Sequence, residues 1–161
     1  MARLNKKYSD FQRFLSPAKI NLFLRILNKR KDGYHNLQSV FQLIDLYDEV
    51  FIRARSDNKI LIDYNVNSID KNNDLSLKAA NLMLKNLNYG VDIKINKKIP
   101  IGGGLGGGSS NAASVMLGIN KLFNLNIDKK KLTESSLSIG ADVPFFVNGI
   151  NGWVEGVGES I

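Results

Sequence analysis

Apolar and polar residues alternate with a period of two through the first third of the chain. In residues 14–27 this alternation predicts a strand with one apolar face and a second face on which Lys19 and Asn21 project side by side. The predicted apolar face consists of Ile20, Leu22, Leu24 and Ile26. From this segment alone, the simplest interpretation of Lys19 is a solvent-facing strand lysine.

Three further segments have the pattern of strands, and they cover residues 37–46, 49–55 and 60–64. A turn is predicted between the first two of them, at residues 45–48. Because consecutive strands usually lie next to each other, an antiparallel meander is the simplest arrangement. The residues before the first strand, 1–13, are expected to be a disordered lead-in.

The period changes to that of helices in the second half of the chain. Residues 75–88 form a helical pattern that residues 72–74 can cap and that Gly90 is expected to end. A strand is predicted at residues 91–95. Two more helices follow it, one directly after a run of glycines and one that begins at Asp128.

The order of these segments, strands first and helices later, predicts an α+β fold in which a mixed or antiparallel sheet packs against helices. The chain has 161 residues, of which 43% are hydrophobic and 23% charged, so residues 14–161 are assigned to one domain with a sizeable core. The absence of cysteine excludes disulfides and thiolate metal sites, and a single histidine excludes a His-rich metal site. The sequence contains no membrane-spanning apolar run and no secretory signal, and a cytoplasmic location is expected.

The formal net charge of +7 has two interpretations. It could attract a polyanion such as RNA. However, the basic residues are scattered in twos and threes and form no arginine-rich block with interleaved aromatic residues. Solvated faces that add positive potential for a phosphorylated small molecule are therefore the favoured interpretation, and RNA binding is the alternative.

A glycine-rich segment, IPIGGGLGGGSSN at residues 99–111, separates the last predicted strand from the following helix. Six of the seven residues from Gly102 to Gly108 are glycines, which cost conformational entropy when they are ordered. A glycine turn that leads into a helix N-terminus presents free amide donors and the positive end of the helix dipole. The pattern therefore predicts a phosphate cradle. A flexible Gly/Ser linker is the alternative, against which the rigid Ile-Pro-Ile before the glycines and the helix after them both count.

Two common phosphate loops do not fit this segment. The P-loop needs a lysine before its Ser or Thr, but Gly108 precedes Ser109. A Rossmann G-x-G-x-x-G pattern is matched formally, yet a run of six glycines produces such a match almost automatically. The strand and the acidic residue that a dinucleotide site requires are not in place around it.

The order of Pro100, glycines, Leu105, glycines and Ser-Ser-Asn-Ala resembles the phosphate loop of the GHMP kinases. Four other stretches resemble motifs of the same family, in the correct order. They are SPAKINLFL at residues 16–24, DGYHNLQSVFQ at 32–42, GADVPFF at 140–146 and EGVGE at 155–159. The resemblance implies the N-terminal domain fold of that family and the ATP-dependent phosphorylation of an alcohol, with Mg²⁺ accompanying ATP.

By this resemblance, Asp142 is the catalytic base and Lys19 its partner, a pair that can deprotonate an alcohol and stabilise a transferring phosphoryl group. The match narrows to kinases of a cytidine-diphosphate sugar alcohol, in which Asn21 contacts the substrate while Tyr34 and His35 hold the cytosine. The residue types alone also allow purely structural interpretations. Asp142 would then be a turn or cap residue, Tyr34 a turn-packing residue and His35 a surface histidine.

The resemblance also implies which residues bind ATP, and it assigns no protein ligand to a metal. The ATP-binding residues are Leu75, Lys97, Pro100, Ile101, Gly102, Gly103, Gly104, Leu105, Gly106, Gly107, Gly108, Ser109 and Ser110. One departure concerns the adenine pocket, because the family commonly has Asn-Leu where this chain has Asp74 and Leu75. No polar adenine contact is therefore assigned to Asp74.

The family has a second domain after the EGVGE motif, whereas this sequence stops at Ile161. The chain is therefore expected to be a fragment that lacks the C-terminal domain and has little or no kinase activity alone. The alternatives are an inactive nucleotide- or RNA-binding remnant, or a GHMP kinase of another small alcohol such as mevalonate or homoserine. The expected partner is a small-molecule substrate, with neither a membrane nor a nucleic acid favoured, and homo-oligomerisation stays open.

Overall fold

The computed structural model describes residues 10–29, 35–67, 69–70 and 73–156. The strands in these ranges are β1 (Gln12–Lys29), β2 (His35–Arg55), β3 (Ile60–Tyr64), β4 (Gly90–Asn96) and β5 (Gly152–Gly156). The helices are α1 (Leu75–Leu84), α2 (Gly107–Leu122), α3 (Lys129–Ser136) and α4 (Val143–Asn148). A sheet packed against helices confirms the predicted α+β fold.

The five strands form one mixed sheet in the order β1-β2-β4-β3, and β5 pairs with the first part of β2. The pairs that β2 makes with β1, β4 and β5 are antiparallel, whereas β3 and β4 are parallel. A parallel pair needs a crossover connection, and α1 supplies it between β3 and β4. The predicted antiparallel meander is therefore wrong for β3, which lies next to β4 and not next to β2.

The hydrophobic core lies on the face of the sheet that the helices cover. Val50 is opposite Ile95 and Ile52 is opposite Ile93, and these four side chains are at most 1% exposed. Apolar residues of all four helices belong to the same cluster. This burial fixes the helices against the sheet through the hydrophobic effect. In the part of the chain that the structure describes, no helix is both long and apolar enough to cross a membrane.

Alternate residues of the same strands carry charge on the opposite face. Arg53 Nη2 and Arg55 Nη1 each donate a hydrogen bond of 2.6 Å to the Asp92 carboxylate. Lys98 Nζ lies 3.1 Å from Glu49 Oε2. Burial alone would raise the pKa of Asp92, but the hydrogen bonds from the two arginines outweigh it and hold the pKa below its usual value.

β2 runs through residues 45–48 without interruption, so the turn predicted there is wrong. The β1–β2 register shifts at this point, where Pro17 pairs with Tyr47 and Ala18 pairs with Ile44. Such a β-bulge bends a strand and redirects its side chains while the pairing continues. Next to this bulge, the Asp48 side chain is fully buried.

β1 begins earlier than predicted, at Gln12. Its first residues pair with the end of β2, and the Arg13 guanidinium forms an ion pair with Glu49. The expected disordered lead-in is therefore wrong for Gln12 and Arg13, because ladder pairing and this ion pair hold them. Residues 1–9 lie outside the described ranges.

The apolar face predicted for β1 is largely exposed. Leu22, Leu24 and Ile26 are 60%, 55% and 62% exposed, whereas Lys19 is 5% exposed. A register shift between Asn21 and Leu24 interrupts the regular alternation, so the period of two does not correspond to the pattern of burial. The interpretation of Lys19 as a solvent-facing residue is wrong.

The N-termini of two helices agree with the sequence patterns. Asp74 caps α1 by accepting hydrogen bonds from two backbone N–H groups of the first turn, and Asp128 caps α3 by accepting one. Helix α1, however, ends at Leu84, so the prediction that Gly90 terminates it is wrong. Gly90 is the first residue of β4, where a Cβ atom would lie 2.2 Å from the carbonyl oxygen of Asp57. A close backbone approach requires glycine here.

Candidate active site

Residues 100–106, which we call the glycine loop, lie between β4 and α2 and lead directly into α2. Gly102, Gly104 and Gly106 have φ angles of 76°, 70° and 71°, in the left-handed region that favours glycine. Gly106 is the N-cap of α2 and provides no side-chain cap. Because the N–H groups of a first helical turn have no carbonyl partner within the helix, an uncapped α2 presents them to an anion.

The glycine loop lines a cleft of about 550 Å³. Leu75, Lys97 and residues 100–109, all predicted to bind ATP, line this cleft together with Asp142. The remaining predicted residue, Ser110, is 1% exposed. The fold therefore brings the predicted catalytic base and all the predicted ATP-binding residues except Ser110 to one cavity.

The loop is attached to the strand that carries Lys19. The backbone N–H of Lys19 donates a hydrogen bond of 3.0 Å to the carbonyl oxygen of Leu105. At the next residue, Gly106, a Cβ atom would lie 2.7 Å from Phe146 Cζ and 3.2 Å from Lys19 Cγ. A side chain at Gly106 would therefore push the loop away from β1 and α4.

Lys19 and Asp142 face each other beside the loop. Lys19 Nζ lies 3.7 Å from Asp142 Oδ2, and it also lies 4.2 Å from the centre of the Phe41 ring. The Lys19 side chain is 7% exposed and that of Asp142 is 31% exposed. Asp142 is the N-cap residue of α4, but its side chain makes no capping hydrogen bond. Its carboxylate is therefore accessible from the cleft and is held by charge rather than by the helix.

A short chain of hydrogen bonds fixes the Lys19 ammonium. Lys19 Nζ donates to Asn21 Oδ1 at 2.6 Å, and Asn21 Nδ2 donates to Ser39 Oγ at 2.9 Å. The Ser39 hydroxyl in turn donates to the carbonyl oxygen of Phe23 at 2.6 Å. Asn21 therefore lies beside Lys19, as the strand pattern predicted. Ser39 was missed, although a polar residue two positions from the apolar Leu37 and Phe41 on either side was a usable signal.

Lys97 lines the cleft, but its ammonium has partners within the protein. It donates to Asp48 Oδ2 and, at 2.9 Å, to Asn111 Oδ1. A Cβ atom at Gly107 would lie 3.1 Å from Lys97 Nζ, so the start of α2 packs directly on this ammonium. Neither Asp48 nor Asn111 was selected from the sequence.

Two further polar residues lie at the cleft: Asp74, which lines it, and Ser110, which directly follows the lining residue Ser109. Ser110 Oγ is buried and has no hydrogen-bond partner among the described residues. Asp74 Oδ1 accepts from the backbone N–H groups of Ser76 and Leu77 and, at 2.9 Å, from the Tyr64 hydroxyl. Burial raises the pKa of Tyr64, which keeps this hydroxyl a donor. The Asp74 oxygen that caps α1 is thus fully engaged inside the protein.

A family model described as "GHMP kinases N terminal domain" matches residues 74–150. A 4-diphosphocytidyl-2-C-methyl-D-erythritol kinase of Polynucleobacter asymbioticus is 49% identical over 148 residues, which cover 91% of this chain and 50% of that protein. A protein of the same name from Xanthomonas oryzae is 44% identical over an alignment that covers 100% of this chain and 56% of that protein. The chain belongs to the GHMP kinase family.

A solved structure agrees with this membership. The crystal structure of a 4-(cytidine 5'-diphospho)-2C-methyl-D-erythritol kinase matches this GHMP kinase chain with a TM-score of 0.79 and 36% identity, covering 92% of this chain and 53% of that one. The chain spans about half the length of the curated relatives it matches.

Two predicted substrate residues of this GHMP kinase chain have no described side-chain geometry. Tyr34 lies outside the described residues, and so does the side chain of His35, whose backbone begins β2 and pairs with Lys29. Their role toward the cytosine therefore stays a prediction. Among the described residues, no group of three His, Asp or Glu side chains is placed to hold a metal ion.

Proposed function

We propose that this chain is the ATP-binding half of a kinase that phosphorylates the 2-hydroxyl of 4-diphosphocytidyl-2-C-methyl-D-erythritol. The observation that carries the proposal is the Lys19–Asp142 ion pair beside the glycine loop. The backbone N–H of the same lysine is hydrogen-bonded to the loop at the Leu105 carbonyl. An alcohol acceptor needs a base, and a transferred phosphoryl group needs a cation. The pair supplies both at the wall of one cleft.

Asp142 and Lys19 have different tasks in this proposal. The Asp142 carboxylate accepts the proton of the substrate hydroxyl as the hydroxyl oxygen attacks the γ-phosphorus of ATP and ADP leaves. Lys19, fixed by Asn21 and by the Phe41 ring, holds positive charge where the phosphoryl group passes. Because phosphoryl transfer depends mainly on positioning and charge neutralisation, a fixed ammonium is more effective than a mobile one.

The glycine loop and the first turn of α2 fit a nucleoside triphosphate. The first-turn N–H groups of α2 are free to bind phosphate oxygens, and the buried Ser110 hydroxyl lacks a partner among the described residues. At Gly102 and Gly104 a Cβ atom would meet nothing within 4 Å, so the backbone is open on the cleft side. ATP, accompanied by Mg²⁺, supplies the phosphoryl group, and Leu75 with its neighbours lines the nucleoside end of the cleft.

The acceptor in this proposal is a cytidine-diphosphate sugar alcohol, which is the substrate in the names of the relatives. Asn21 lies next to the reacting hydroxyl, and Tyr34 and His35 hold the cytosine by stacking and hydrogen bonding. For the chain alone we expect little or no turnover, because it spans about half the length of those relatives.

The test joins this chain to the second half of the Polynucleobacter asymbioticus relative, which we call the fused protein. The fused protein should phosphorylate 4-diphosphocytidyl-2-C-methyl-D-erythritol with ATP, measured by coupled ADP release and by mass of the product. The chain alone should bind a non-hydrolysable ATP analogue in a calorimetric titration. Absence of both nucleotide binding and turnover, in samples that are folded by circular dichroism, would overturn the proposal.

A further inference from the structure

A buried ring of three polar side chains lies under the glycine loop and has no part in the chemistry described above. Asp48 is 0% exposed, Asn111 is 2% exposed and the Lys97 side chain is 6% exposed. Lys97 Nζ donates to Asp48 Oδ2 and to Asn111 Oδ1, and Asn111 Nδ2 donates to Asp48 Oδ2 at 3.0 Å. Each side chain of the ring therefore contacts the other two.

The second carboxylate oxygen of Asp48 holds the backbone that enters the loop. Asp48 Oδ1 accepts from the N–H groups of Lys98 at 2.6 Å and Ile99 at 2.8 Å. Ile99 directly precedes the loop, and Asn111 lies one turn into α2, which follows it. One carboxylate on β2 thus accepts hydrogen bonds both from the backbone that enters the loop and from α2, which follows the loop.

The exit of the loop packs on the same ring. At Gly107, a Cβ atom would lie 3.0 Å from Ile99 Cγ2 and 3.1 Å from Lys97 Nζ. Two loop carbonyl oxygens accept described backbone hydrogen bonds: that of Leu105 from the Lys19 N–H, and that of Gly106 from the Ser110 N–H of α2. The intervening Gly102 and Gly104 have open space around them. The position of the loop therefore depends on these few contacts.

We infer that Asp48 is a positioning residue, which fixes the entry and exit of the glycine loop at once and so sets where the loop N–H groups meet phosphate. Lys97 neutralises the buried carboxylate, and its effect on the nucleotide is exerted through the loop. A buried carboxylate needs such a partner and several hydrogen bonds to offset its desolvation, and Asp48 has both. The effect on phosphate rests on the proposed function, whereas the anchoring of the loop does not.

The test compares Asp48→Asn with Asp92→Asn. Both changes remove a paired carboxylate from the sheet, but Asp92 is bound by Arg53 and Arg55 on the opposite face and does not contact the loop. Amide hydrogen exchange is measured on the chain without nucleotide. Asp48→Asn should accelerate exchange at Lys98, Ile99 and the loop at least tenfold more than in the centre of β4, and Asp92→Asn should not.

Kinetics of the fused protein provide the second readout. Asp48→Asn should raise KM for ATP at least tenfold while KM for the cytidine substrate changes less than twofold, a split that general loss of stability would not produce. If Asp48→Asn does not fold, Asn111→Ala removes the exit contact, leaves the Asp48–Lys97 pair in place and should shift both readouts in the same direction.

The inference would be overturned if the folded variants show unchanged amide exchange in the loop and an unchanged KM for ATP, while their melting temperature falls as in Asp92→Asn. Asp48 would then be a purely structural residue. A parallel rise of both KM values would do the same. If the unsubstituted chain binds no ATP analogue, the proposed function fails, and the exchange experiment still decides whether Asp48 anchors the loop.

Discussion

Lys19 Nζ lies 3.7 Å from Asp142 Oδ2, although Lys19 belongs to β1 and Asp142 directly precedes α4. Asp142 stands at a helix N-cap without capping the helix, whereas Asp74 and Asp128 at the equivalent positions of α1 and α3 accept backbone hydrogen bonds. A carboxylate that leaves its own helix uncapped and faces a lysine contributes little to the stability of that helix. Its position fits chemistry in the cleft.

Replacing this carboxylate should separate catalysis from stability. Asp142→Asn in the fused protein should lower kcat by about 100- to 10,000-fold, because an amide cannot accept the substrate proton. The urea midpoint should stay close to that of the unsubstituted protein, since no capping hydrogen bond is lost. Coupled ADP release and urea unfolding followed by circular dichroism measure the two effects.

Asp128→Asn is not a sufficient control here, because asparagine also caps helices, so Asp128→Ala is used. It removes the hydrogen bond to the Lys131 N–H and should lower the urea midpoint while kcat stays unchanged. A kcat of Asp142→Asn within threefold of the unsubstituted value would mean that Asp142 is not the base.

The sequence predicted those parts of the site that are local in the chain. The glycine loop and the α2 stripe follow directly from residue type and spacing, and motif order added Lys19 and Asp142. The ring under the loop was not predicted, because Asp48 and Lys97 are 49 positions apart, Asp48 falls in a predicted turn, and Lys97 was assigned to ATP binding. Nothing in a single sequence reports that two such charges meet in the interior.

Strand positions were predicted better than strand pairing. β3 was placed correctly, but its parallel partner β4 depends on the crossover through α1 and not on the pattern of β3 itself. On β1, Lys19 is buried by groups that are distant in the chain, namely Phe41, Asp142 and the glycine loop. A register shift between Asn21 and Leu24 also interrupts the alternation further along the strand. Bulges of this kind arise from the fit between two strands, so the alternation in one of them cannot reveal them.

Two glycines of the loop should respond differently to alanine. Gly104 and Gly106 both have φ near 70°, so alanine is strained by about 1–2 kcal/mol at either position. At Gly106 the added Cβ would also lie 2.7 Å from Phe146 Cζ, whereas at Gly104 it would meet nothing within 4 Å. Gly106→Ala should therefore lower the free energy of unfolding clearly more than Gly104→Ala.

Urea unfolding of the two variants at constant temperature measures this difference. Gly106→Ala should also weaken binding of the ATP analogue, because the displaced loop loses its alignment with Lys19. Equal losses of stability for the two variants would mean that the contact of Gly106 with Phe146 does not constrain the loop.

Acid should destabilise the chain in part through Asp92. The hydrogen bonds from Arg53 and Arg55 hold its folded-state pKa below the ordinary value of 3.8, so folding favours the ionised carboxylate. The resulting stability is fully present above the unfolded-state pKa and is lost as the pH falls through the folded-state pKa. The hydrogen bond from Arg55 likewise lowers the pKa of Asp57, to about 2.

Free energies of unfolding measured in urea between pH 7 and pH 2 should therefore decrease less steeply below pH 4 for Asp92→Asn than for the unsubstituted chain. Asp57→Asn should flatten the profile between the ordinary pKa of 3.8 and the folded-state pKa of about 2. Profiles of Asp92→Asn and the unsubstituted chain that run parallel throughout this range would mean that the arginines do not favour ionised Asp92.

The Ser110 hydroxyl should be dispensable for folding but needed for nucleotide binding. Its hydroxyl is buried without a partner among the described residues, a situation that costs about 1–3 kcal/mol. Ser110→Ala should therefore leave the stability of the nucleotide-free chain unchanged or raise it, and it should weaken binding of the ATP analogue in a calorimetric titration.

Ser114 is the matched control on the same helix. Its hydroxyl accepts a buried hydrogen bond of 2.7 Å from Ser16, so Ser114→Ala should cost about 1–3 kcal/mol by leaving the Ser16 hydroxyl unpaired. Binding of the ATP analogue should not change beyond the effect of lower stability. A loss of stability in Ser110→Ala equal to that in Ser114→Ala, with unchanged affinity for the analogue, would mean that the Ser110 hydroxyl serves the fold and not the phosphate.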